Sequence, residues 1–107
     1  MQKFNPFRSP KLLQSAKGQE CRNCGIDDGT IVSAHSNQSI HGKGKSIKAS
    51  DVFIAWLCFN CHSWLDQGTG LDPTGIWTAF DGKEEMWRQA HDKTLEALFK
   101  NGAVVVK

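Results

Sequence analysis

Four cysteines in two matched pairs constrain this chain more than any other feature. Cys21-Arg22-Asn23-Cys24 and Cys58-Phe59-Asn60-Cys61 are both Cys-x-x-Cys, and 33 residues separate them. Each turn sets two thiolates at the separation a tetrahedral ion requires, and two such turns complete a closed four-sulfur shell. Zinc is the ion this donor set selects. A full thiolate shell leaves no position for water, so the expected role of the zinc is structural. A shell of three cysteines with His35 or His62 is the alternative. A redox dithiol is disfavoured, because no thioredoxin-like βαβ pattern surrounds either pair.

Size explains the need for such a staple. A chain of 107 residues is expected to form one domain, with residues 1–8 as a loose arm. A domain this short buries only about 60–68% of the surface its unfolded chain exposes, and a bound metal compensates for a modest core. The longest apolar run, Val52 to Phe59, is too short to span a bilayer, so no membrane partner is expected. The first six residues, Met1 to Pro6, hold no apolar stretch of signal-peptide type, which predicts a cytoplasmic protein. Thiols stay reduced in that compartment, which favours a metal over disulfides.

Net charge is only +2, but it is unevenly placed. Residues 1–50 carry eight Lys/Arg against three Asp/Glu, a net of +5, and residues 51–107 carry five against eight, a net of −3. A basic half suits phosphates, although solvated lysines give the same count. Gly42-Lys43-Gly44-Lys45-Ser46 ends like a P-loop, but that pattern needs Gly at position 39 and the chain has Ser39. Nucleotide triphosphate binding is therefore rejected. Lys43, Lys45 and Lys48 read instead as contacts to a DNA backbone from the loop over residues 36–50.

The remaining segments predict an α+β domain. Ser9 caps a short helix that starts at Pro10 and ends near Gly18. Thr30 to Ala34 and Val52 to Leu57 suit strands, the second with Phe53 and Trp56 on alternate faces. A helix follows from about Asn60 to Gly68, and Pro73 and Gly75 mark a connection. The clearest helix carries Glu84 and Glu85 in its first turn and Met86, Trp87, Ala90, Leu95, Leu98 and Phe99 at helical spacing, and it ends at Gly102. Val104 to Val106 form a short strand or a packed tail. Most of the four Trp and six Phe are expected to fill the core, Trp77 and Trp87 among them.

Strand, loop, strand, then a knuckle that opens a helix is the order of a ββα-metal finger. With Ser33-Ala34-His35 on the first strand and Leu57-Cys58-Phe59-Asn60-Cys61-His62 entering the helix, the chain resembles the HNH (ββα-metal, His-Me finger) endonucleases. It is most similar to the YbcO-like phage and prophage nuclease family. The matching elements are Ala34-His35, His41-Gly42-Lys43-Gly44, Lys48, Asp51, Cys58-x-x-Cys61-His62, Asp66-Gln67-Gly68, Trp87, Ala90-His91 and Thr94. They run from about Ala16 to Gly102.

The resemblance implies a zinc-stabilised HNH-like finger with flanking helices. Its implied activity is metal-dependent hydrolysis of DNA phosphodiesters in phage recombination or DNA processing. His35 is then the base that activates water. His62 and Asp66, four apart at the start of one helix, are the ligands of a catalytic Mg²⁺ or Mn²⁺. Many HNH enzymes have Asp where this chain has Ala34, and Asn where it has Phe53. Asp51 is expected to replace that Asn or to bind metal. His41 and His91 read as structural residues. The alternative function is a non-catalytic zinc module that binds nucleic acid.

Overall fold

The computed structural model describes residues 8–36 and 50–102. In chain order its elements are α1 (Pro10–Gln14), β1 (Val32–His35), β2 (Ile54–Leu57), α2 (Phe59–Gln67) and α3 (Lys83–Lys100). Lys43, Lys45, Lys48, His41 and Val104 to Val106 lie outside the described residues. No helix among the described residues is long and apolar enough to cross a membrane.

The two strands form an antiparallel pair, with Val32 opposite Leu57 and His35 opposite Ile54. Ser36 N–H donates to the Phe53 carbonyl at 3.0 Å. Antiparallel bonding alternates along the ladder, so the backbone groups of Ile54 and Trp56 point away from β1 toward the outer edge of β2. An uncovered edge would invite pairing with another chain. Here it is closed by three different donors and acceptors. His91 Nδ1 lies 2.6 Å from the Ile54 carbonyl. Trp56 N–H donates to Thr94 Oγ1 at 3.0 Å, and Arg22 N–H donates to the Trp56 carbonyl at 2.8 Å. Helix α3 and the first knuckle thus finish the sheet that the second strand leaves open. All four residues of β2 are buried, which explains why Ile54-Ala55-Trp56-Leu57 lacks polar alternation.

The core joins Ala34, Trp56, Leu57, Trp64, Leu65, Met86, Trp87, Ala90 and Leu98 to Cys21, Cys58 and Cys61. On α3 the buried stripe is Met86, Trp87, Ala90, Thr94 and Leu98. Phe99, read as part of that stripe, is 46% exposed instead. Thr94 takes a core position despite its hydroxyl, which donates to the Ala90 carbonyl at 2.8 Å while accepting from Trp56.

Local chemistry moves several boundaries. Ser9 Oγ accepts from Leu12 N–H as expected, but α1 ends at Gln14 rather than near Gly18. Ser15 Oγ donates to the Leu12 carbonyl and accepts from Trp56 Nε1, and three-residue turns carry the chain onward. The first strand starts at Val32, not Thr30, because Thr30 Oγ1 donates to Asp28 and accepts from Phe59 N–H at the head of α2. The second starts at Ile54, not Val52. Asp51 sits in a turn closed by Phe53 N–H on the Ser50 carbonyl, with its carboxylate directed inward. Arg8, expected at the end of a loose arm, is tied to that carboxylate at 3.3 Å.

Candidate metal centre and flanking histidine pairs

The sulfurs of Cys21, Cys24, Cys58 and Cys61 all lie within 4.8 Å of one another. A tetrahedral zinc with bonds of about 2.3 Å needs sulfurs about 3.8 Å apart. Cys24 and Cys58, from opposite knuckles, are 3.7 Å apart. The donor set and its spacing therefore fit zinc. No histidine belongs to this group, so the alternative shell with His35 or His62 is not the arrangement found. All four cysteines are free of disulfides, and all but Cys24 are buried.

Each knuckle is shaped by its own backbone. Cys24 N–H points to Cys21 Sγ and Cys61 N–H to Cys58 Sγ, both at 3.5 Å. The Cys58 thiolate is thus also the N-cap of α2. Gly25 follows the first knuckle at φ 83°, a left-handed turn that a side chain would strain, and its N–H donates to the Cys21 carbonyl. The Cys61 thiol donates to Cys21, which holds Cys21 well below the ordinary thiol range and Cys61 above it. Burial pushes Cys24 up to about 11. A bound cation replaces those protons, which is the usual coupling of metal binding to proton release.

His35 ends β1 and meets Asp51 across the mouth of the hairpin, Nε2 to Oδ1 at 2.7 Å. Asp51 also accepts from Ser9 N–H on Oδ2 at 2.6 Å. The Asp51 side chain is 2% exposed, and that of His35 is 16% exposed. Burial opposes the charge on Asp51, but bonds from His35 and Ser9, with Arg8 nearby, outweigh it and hold the carboxyl below its usual range. A charged carboxylate only accepts, so Nε2 carries a proton, and whenever the ring is neutral its lone pair is on Nδ1.

His62 and Asp66 pair across one turn of α2 at 3.3 Å, with both side chains open to solvent. Among the described residues no third His, Asp, Glu or Cys joins either His–Asp pair. The two pairs thus do not form one ligand cluster. His91, read as structural, is held on three sides: its ring stacks on Trp87 at 4.7 Å, faces Phe53 and bonds Ile54.

Three residues that shape these sites are not marked for that role by the sequence. Arg8 and Ser9 reach Asp51 from more than 40 positions away, and no local pattern announces such a contact. Asp72 is 4% exposed and joins Asn23 of the first knuckle at 2.8 Å. Asp72-Pro73-Thr74-Gly75 has the composition of an Asx turn, which was the one signal available. No protein-family model, curated protein or solved structure matches the chain.

Proposed function

We propose that the chain is a zinc-stapled, metal-dependent endonuclease domain of HNH type that hydrolyses DNA phosphodiesters. The observation that carries this reading is the His35–Asp51 pair. A buried carboxylate fixes one tautomer of a partly exposed imidazole, as a general base requires. In the proposed reaction Nδ1 of His35 takes a proton from water as its oxygen attacks phosphorus. Asp51 keeps Nε2 protonated and stabilises the imidazolium that forms. His62 and Asp66 are the side chains that would hold Mg²⁺ or Mn²⁺, which supplies positive charge to the phosphate and the leaving oxygen. The cysteines take no part in the chemistry, because their shell is full. Lys43, Lys45 and Lys48 are proposed to contact the DNA backbone, and the resemblance to the YbcO-like family supports a role in phage or prophage DNA processing within the host cytoplasm.

The open His62–Asp66 pair, with no third described ligand, favours one competing reading, a zinc module that binds nucleic acid without cutting it. Supercoiled plasmid separates the two. Zinc-loaded protein is incubated with Mg²⁺, Mn²⁺ or chelator, and His35→Ala is run beside it. Nicking that needs added metal and is lost in the variant, with DNA binding retained, supports the nuclease. Binding without nicking in the folded, zinc-loaded protein supports the module.

A further inference from the structure

Asn23 sits inside the first knuckle, between two of the metal-ligating cysteines, yet its side chain serves the opposite knuckle. Its amide nitrogen lies 3.3 Å from Cys61 Sγ and 2.8 Å from Asp72 Oδ2. A primary amide nitrogen carries two hydrogens. Here one faces a thiolate and the other a carboxylate, so both are used and the amide oxygen is turned away from two negative groups.

We propose that Asn23 and Asp72 form the outer shell of the metal centre, Asp72 holding the Asn23 amide in the one orientation that donates to the Cys61 thiolate. The four-thiolate shell around a divalent cation carries a net charge of about −2, so a donor to sulfur lowers the cost of gathering that charge in a buried site. Cys61 is fully buried, so bulk solvent cannot do this. Outer-shell partners of this kind change metal affinity by about 10–100-fold.

The carboxylate is suited to the task because its own place is secured from the other side. Asp72 Oδ1 accepts from Ile76 N–H at 3.1 Å and Trp77 N–H at 2.9 Å, and Thr74 Oγ1 lies 2.8 Å from both oxygens. The turn therefore uses mainly Oδ1, and Asn23 takes Oδ2. This division makes the two roles separable. Asp72→Asn can keep an oxygen toward Ile76 and Trp77 while setting an NH₂ against the Asn23 NH₂. The Asn23 amide must then flip or lose its contact, and its donation to Cys61 ends while the turn survives.

The test is zinc affinity, measured by competition with a chromophoric chelator, on the full chain and four variants. Asn23→Ala and Asp72→Asn are each expected to weaken zinc binding about 10-fold or more. The double variant should be no weaker than the worse single one, because both remove the same donor. Thr74→Val, which removes one bond to Asp72 but leaves those from Ile76 N–H and Trp77 N–H in place, should cost less zinc affinity than either single variant. Amide protection at Ile76 and Trp77 reports whether the turn survives in Asp72→Asn. Parent-like affinity in Asn23→Ala or Asp72→Asn would overturn the proposal. So would multiplicative losses in the double variant, or a loss in Thr74→Val equal to the others. None of these readouts depends on DNA cleavage, so the result stands apart from the proposed nuclease activity.

Discussion

Replacing Asp51 by Asn should reverse the tautomer of His35 while leaving the fold in place. The amide oxygen will face Ser9 N–H, a fixed donor 2.6 Å from Oδ2, which leaves the NH₂ toward His35 Nε2. An NH₂ cannot accept, so Nε2 must give up its hydrogen and Nδ1 must take one. The lone pair proposed to act as base is then on the wrong nitrogen. A comparable tautomer error in a serine-protease triad lowers turnover by about 10⁴-fold, and a loss of that order is expected in any cleavage assay. The stability cost is smaller. The Ser9 bond keeps an acceptor but loses charge assistance, as does the contact to His35, for a total of about 1–3 kcal/mol. The Arg8 arm adds little, because its side chain is 44% exposed. Each kcal/mol lowers the melting temperature of a domain this size by about 4–8 °C. Nitrogen-15 spectra of the imidazole, with denaturant unfolding alongside, read both effects. An unchanged Nε2–H form of His35 in the variant would refute this reasoning, whatever happens to activity.

Two further outcomes follow from buried polar groups. Thr94→Val preserves shape but leaves Trp56 N–H without its acceptor in a fully buried place, so unfolding free energy should fall by about 1–3 kcal/mol, while Thr94→Ser should recover most of it. For pH, the folded carboxyl of Asp51 is depressed below its unfolded value of about 4, so the unfolded chain binds more protons in the acid range. Its contribution is complete above that value and is lost as pH falls through the folded one. In saturating zinc the stability gap between parent and Asp51→Asn should therefore close as pH falls from about 4 through the lower folded value. A gap that widens as pH falls below about 4 would contradict the assigned charge.

Local chemistry was readable in the chain, and long-range closure was not. The knuckle spacing sets each pair, Cys21 with Cys24 and Cys58 with Cys61, because a Cys-x-x-Cys turn carries its geometry with it, and the need of one tetrahedral ion for four sulfurs is what predicts that the pairs meet. The periodicity of α3 is likewise local, and so is the Ser9-Pro10 start of α1. Asp51 shows where this ends. The resemblance points to it as a replacement for the Asn expected at Phe53, but nothing local shows that its carboxylate is drawn inward by Arg8, Ser9 and His35, or that the turn that results shortens β2. Thr30 and Thr94 departed from their local pattern for the same reason, since each hydroxyl answers a backbone group in another element. Asn23 and Asp72 are 49 positions apart, and only the folded metal centre makes them neighbours.

X-ray absorption at the zinc edge of the purified full chain, with metal content measured on the same sample, tests the central claim most directly. One zinc per chain with four sulfurs at about 2.3 Å is the predicted result. A nitrogen in the shell would contradict it, as would a folded chain that carries no zinc and has its four cysteines in disulfides.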